Sequence, residues 1–314
     1  VLAVLAVLAA AVLFGTTGTS QALGPEGTTP LSIGVMRLVV GGTVLAAIGF
    51  TLARRRVRRR PNPLPTRRAI ALMAVTGICL AAYQPLFFLG TARGGVAVGT
   101  VIALGSAPVI AGLLEWALTR RLPSATWLFA TILATAGVVV LGVGGAAGGS
   151  GGTDPLGILG SVGAGASFAV FANAQRRLMD AGWDPFTVAG AMGAWSAGVA
   201  VLALPFVDVS WVTDPGGLTM TLWLGIATIA IAYTLFTWGL ERLTAATAAT
   251  LTLAEPLTAS VLGIAVLGER LSPLAIGGLV ILAGGLVLLA WGARRGSRQG
   301  PRQPHDPAPF AIEG

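Results

Sequence analysis

Apolar stretches long enough to cross a bilayer recur from one end of this 314-residue chain almost to the other. A spanning helix needs about 20 apolar residues, and ten segments meet that length: about 1–21, 30–52, 68–91, 95–118, 124–144, 156–175, 185–206, 217–239, 244–267 and 273–292. Only 10% of the residues are charged, against about 25% in a soluble domain. Such a chain cannot cover a water-facing surface, so lipid is its solvent. The first segment, "VLAVLAVLAAAVLFG", lacks the basic region that opens a signal peptide, so it reads as a first spanning helix.

Charge placement sets an orientation. With the N-terminus in the cytoplasm, seventeen Arg residues fall on the inner side, eight of them between Arg54 and Arg68. Only Arg93 and Arg270 fall outside, and Arg37 lies within a helix. The positive-inside rule then places both termini in the cytoplasm, in a multi-pass protein of the cytoplasmic membrane. The Arg-rich loop reads as a topology signal that also meets anionic lipid head groups. It is too short and too confined for nucleic-acid binding.

Several chemistries lack their residues. There is no Lys, so the phosphate-binding P-loop and the Schiff base are excluded. The single His, His305, lies in the polar tail, and Cys79 is the single Cys. No cofactor or metal site is expected from this composition. An intramembrane enzyme acting on lipid would need a nucleophile with its base, a metal cluster or paired acids. None is visible, so that reading and a non-transporting membrane component stand only as alternatives.

The two halves of the chain resemble each other. A stretch starting "YQPLFFLGTARGG" parallels one starting "YTLFTWGLERLTA", so that Tyr83 matches Tyr233, Arg93 matches Arg242 and Pro108 matches Pro256. Each half holds five helices, an odd number, so matching elements cross in opposite directions. Residues 1–144 then form one repeat and 155–292 the other, joined by a Gly-rich linker at 145–154 and followed by a disordered tail at 293–314. The fold expected is an all-α integral membrane protein of two inverted five-helix repeats, an arrangement used by alternating-access transporters.

On "LAEP" at Leu253–Pro256, "LGERLSP" at Leu267–Pro273, the Arg of "VMRLVVGG" at Arg37 and the similar ends of both halves, the chain resembles the drug/metabolite transporter superfamily, EamA type. "TRRLPS" stands in the first half where a "GERLS"-like stretch is common, so the halves depart from symmetry. The resemblance implies export or exchange of small metabolites, amino acids or drug-like compounds.

Glu255 and Pro256 are the most informative pair. A carboxylate at mid-membrane costs about 2.5–3.5 kcal/mol and avoids lipid. Pro256 has no N–H to offer the Thr252 carbonyl, which must find another partner. The pair marks a pathway lining that orients a polar or cationic group and takes a proton, or else a buried structural acid. Pro108 and Pro85 free the Leu104 and Ala81 carbonyls in the same way. Arg37 either snorkels to the outer surface, pairs with an acid, or meets an anionic group. Tyr83, Gln84, Asn173, Tyr233 and Trp238, with Trp195 and Trp223, are candidates for the cavity wall. Glu115 is expected to pair with Arg120 and Arg121, and Trp211 to anchor an outer loop at the membrane surface. The partners expected are a small-molecule substrate, protons and lipids; a homodimer is left open.

Overall fold

A computed structural model describes residues 2–120, 123–145 and 154–296. The middle of the Gly-rich linker, Arg121 and the polar tail with His305 lie outside the described residues. The described chain is all helical: α1 (Leu2–Ala22), α2 (Pro30–Val57), α3 (Arg67–Gly94), α4 (Val96–Thr119), α5 (Ala125–Gly145), α6 (Pro155–Asp180), α7 (Pro185–Ala203), α8 (Pro215–Leu222), α9 (Ala232–Leu240), α10 (Ala245–Leu251), α11 (Ala254–Leu267) and α12 (Pro273–Gly296). A π-helical segment, Trp223–Ile231, joins α8 to α9 into an eighth crossing, and α10 with α11 forms the ninth. Ten crossings are long and apolar enough to span a membrane, as the sequence predicts.

Local chemistry explains where the helices start. Pro stands in the first turn of α2, α6 and α7, where its missing N–H costs nothing. Thr29, Thr66, Asp154, Asp184 and Thr244 cap α2, α3, α6, α7 and α10 through their side-chain oxygens. Ser124 and Ser272 accept the amides of Trp127 and Ala275 in the same manner. Helix α2 continues past residue 52 into the Arg cluster, through Arg54, Arg55 and Arg56. Arg has high helix propensity, and its apolar stem covers the helix below its charge.

The packing pairs come in matched sets. Helix α2 packs on α7, and α5 on α12. Helix α3 packs on α6 as the eighth crossing packs on α1; α4 packs on α6 as the ninth crossing packs on α1. Small residues permit this closeness. A Cβ added at Gly49 would stand 2.6 Å from the Gly190 nitrogen and 2.7 Å from the Phe186 carbonyl oxygen. Outward-facing Leu202, Phe206, Val280 and Val287 are well exposed, a surface that suits lipid rather than water.

Two expectations about the ends of the bundle are corrected. The Glu115 carboxylate accepts the Ala246 amide at 2.9 Å, capping α10 rather than pairing with Arg120. Trp211 is buried, not a surface anchor: its Nε1 donates to Ser32 Oγ at 3.1 Å, and its ring packs with Ile33, Met220 and Leu224. Asp208 beside it accepts from Ser210, which holds its carboxyl below the usual carboxylate range.

At the end carrying the Arg-rich loop, Arg56 on α2 meets Asp184 at 3.4 Å and Glu241 at 3.1 Å. Arg176 on α6 donates to the carbonyls of Leu240, Glu241 and Leu243 at and just past the end of α9. These contacts tie the basic ends of α2, α6, α7 and α9 together. At the opposite end Arg93 pairs with Asp154 at 3.3 Å, both partly exposed.

Two substitutions test this packing. Gly49→Ala is expected to destabilise the detergent-solubilised protein by about 1–3 kcal/mol, since backbone must shift to admit the methyl. Gly198→Ala, where nothing lies within 4 Å, leaves the melting temperature unchanged or raises it slightly. Glu115→Leu strands the Ala246 amide and costs about 1–3 kcal/mol, whereas Glu115→Gln keeps an acceptor and restores most of the loss.

Candidate functional site

The ninth crossing is interrupted midway. Helix α10 stops at Leu251, Thr252 and Leu253 form a turn, and α11 restarts at Ala254. Pro256 is the cause: without its N–H, the Thr252 carbonyl takes the Glu255 amide instead, at 2.9 Å. The carbonyl that the sequence leaves without its helical partner is therefore satisfied by a tighter turn. The Thr252 hydroxyl turns back to the Ala249 carbonyl at 2.8 Å. Glu255 lies in the first turn of α11, near the middle of the crossing, where the helix dipole favours negative charge. Helix α1 lies close over this turn: a Cβ at Gly15 would stand 2.7 Å from the Glu255 carbonyl oxygen.

Four of the polar residues singled out in the sequence converge. Arg37, Tyr83, Tyr233 and Glu255 lie within electrostatic reach of one another, from α2, α3, α9 and α11. Arg37 does not snorkel: it is 7% exposed and its Nη2 donates to Thr228 Oγ1 at 3.1 Å. Its Nε is buried without an acceptor. Among the described residues Arg37 and Glu255 form no direct ion pair within 4.0 Å. Glu255 and Tyr83 are half-buried rather than sealed. Their polar side-chain atoms, and the Tyr233 hydroxyl, find no hydrogen bond among the described residues. They are also absent from the buried, unpartnered atoms, so they touch accessible space. Arg37 is thus packed away against Thr228, whereas the Glu255 carboxylate pairs with no cation directly and keeps accessible surface.

The surroundings are aromatic on one side. Tyr233 packs on Phe14 at 5.0 Å and on Phe171 at 5.8 Å between ring centres, and Phe168 and Phe236 complete the cluster. Tyr83 stacks on Phe87 at 5.9 Å. Gln84 is buried against Gly34 of α2, one residue from Tyr83 and on the next face.

Other expected wall residues have different work. Trp238 lies under the Arg242 guanidinium at 5.3 Å, at the basic end and away from the Glu255 group. An indole five residues beyond Tyr233 stands about 140° round the helix from it and meets the Arg242 guanidinium instead. Asn173 bridges two helices, donating to the Ala111 carbonyl of α4 at 3.2 Å and to Ala169 at 2.9 Å. Trp195 and Trp223 are 43% and 46% exposed on the outer surface; Trp223 donates to Thr16. Pro108 and Pro85 lie inside continuous helices, so the matching position in the first half carries no break like that at Pro256.

Sequence reading missed Thr228, the π segment and Gln175. Thr228 donates to Leu224 and so presents a lone pair to Arg37. The π turn has neither Pro nor a polar run to announce it. Its signal is Gly225 and Ile229 pressed against Gly41 of α2: a Cβ there would stand 2.5 Å from the Ile229 Cβ. Gln175, fully buried, accepts from Thr237 at 2.8 Å and clamps α6 to α9. Among the described residues no group of three metal-ligating side chains occurs.

The sequence pattern of the EamA-like transporter family matches the chain over residues 1–143 and again over 155–291. The chain is 39% identical over 289 residues to an uncharacterised transporter of Bacillus subtilis (strain 168), YwfM, covering 92% of this chain and 94% of that one. A solved crystal structure shares the fold with a TM-score of 0.75 at 22% identity, over 93% of this chain and 98% of that one. With ten spanning helices and both halves matched, the chain belongs to the EamA-like transporter family.

Proposed function

We propose that this membrane transporter carries small metabolites, amino acids or drug-like compounds across the cytoplasmic membrane by alternating access, as an exporter or exchanger. The two family matches are read as inverted five-helix repeats that rock against each other, with both termini and the Arg-rich end in the cytoplasm. The paired packing of corresponding helices supports this reading.

The observation that carries it is Glu255: a half-buried carboxylate at the break of the ninth crossing, facing Arg37 and two tyrosines. In hydrocarbon such a carboxylate faces a bundle interior or a wet space. A guanidinium and a carboxylate that do not neutralise each other leave both signs for a ligand. That suits a compact zwitterionic or amphipathic molecule, with its anionic group towards Arg37 and its cationic group towards Glu255. Tyr83 and Tyr233 supply hydroxyls between them. Glu255 is also the group placed to take a proton when the site empties. The carrier has no ATP-binding motif among its residues, so the gradient of an ion or of the substrate supplies the work.

A resistance screen of expressing cells against amino acids, their analogues and antibiotics names the substrate. Uptake of that compound into proteoliposomes then tests the site. Glu255→Gln should cut transport by about tenfold or more, equivalent to about 1.4 kcal/mol, and flatten its pH dependence while the melting temperature stays near wild type. Transport with unchanged rate and unchanged pH profile removes Glu255 from the pathway.

A further inference from the structure

A polar cavity of about 530 Å³ opens at the basic end, between the ends of α2, α6, α7 and α9. Arg56, Arg59, Arg60 and Arg176 line it, facing Asp180, Asp184 and Glu241. The acids are engaged. Asp180 meets Arg176 at 2.7 Å, and Asp184 meets Arg56 as well as the Phe186 and Thr187 amides. Glu241 takes Arg56 on Oε1; its Oε2 accepts no hydrogen bond and lies 3.7 Å from Arg242.

The cations are less well matched. Among the described residues the guanidinium groups of Arg59 and Arg60 have no partner, and Arg56 Nη1 is buried without an acceptor. Three guanidinium groups thus present donors to one cavity, whose four arginines outnumber its three carboxylates. Planar guanidinium forks bind tetrahedral oxyanions through paired charge-assisted hydrogen bonds. Met179 and Trp183 add an apolar wall for an organic substituent. The cavity is separate from the Glu255 group: Phe236 lies between Tyr233 and Glu241 along α9.

We infer that this cavity binds a phosphate-type oxyanion, from an anionic phospholipid head group or from soluble phosphate. The site does not depend on which compound the carrier transports. It would join α2 of the first half to α6, α7 and α9 of the second through the ligand as well as through Arg56.

The test is thermal unfolding of the full-length purified protein. It is titrated with inorganic phosphate against chloride at equal ionic strength, and reconstituted with phosphatidylglycerol against phosphatidylcholine. Arg59→Gln with Arg60→Gln removes the unpartnered cations. Arg67→Gln with Arg68→Gln removes equal charge from exposed positions outside the cavity and serves as the control. A phosphate-specific rise in melting temperature is expected in the wild type. The first double variant should weaken it about tenfold or more in apparent affinity, and the control should leave it unchanged. A response to both ligands makes soluble phosphate sufficient; a response to phosphatidylglycerol alone makes the source lipid. The inference is overturned if neither phosphate nor phosphatidylglycerol shifts the unfolding beyond its control, or if the control variant weakens the response as much as the cavity variant.

Discussion

In lipid every backbone N–H and C=O must find a partner within the protein, and the ninth crossing is where that demand is met by rearrangement rather than by regular helix. Pro256 withdraws one amide, the Glu255 amide takes its place on the Thr252 carbonyl, and the helix tightens and restarts. The restart sets Glu255 in a first helical turn at mid-crossing. It also leaves α1 free to lie close over the turn at Gly15. A small covalent property of one residue thereby positions the carboxylate on which the proposed pathway rests.

The halves share packing but not this device. Pro108, at the matching position, lies within a continuous α4. The second half instead carries two irregularities, the break at Thr252–Leu253 and the π segment of the eighth crossing. Both face Arg37 from the first half, one through Thr228 and the other through the field of Glu255. Such local departures from α-helix are often found where a membrane protein holds polar chemistry. The first half thus supplies the cation and the second the acid with its irregular backbone.

Much of this was legible in the sequence. Ten crossings follow from segment length and scarcity of charge, because lipid tolerates no other reading. Glu255, Tyr83, Tyr233 and Arg37 stood out because charged or hydroxylated side chains are costly at those depths. What sequence could not convey was azimuth. Trp238 and Asn173 look as suited to a cavity wall as their neighbours, but Trp238, about 140° round α9 from Tyr233, meets Arg242, and Asn173 meets a neighbouring backbone. Nor did the sequence announce the π segment, along which Gly225 packs closely on α2. Trp211 misled for a related reason: an aromatic beside two acids looks interfacial, yet Ser32 offers its indole a buried acceptor.

Water access at residue 255 is the claim on which the rest turns, and thiol labelling measures it most directly. Replacing Cys79, the only Cys in the chain, and then introducing Glu255→Cys or Val261→Cys gives two positions on α11. Val261 is 60% exposed on the outer, lipid-facing surface. A charged, membrane-impermeant thiol reagent should modify position 255 in the membrane-embedded protein and spare position 261. Equal protection of both positions, or modification of 261 alone, would contradict a wet passage at the depth of Glu255.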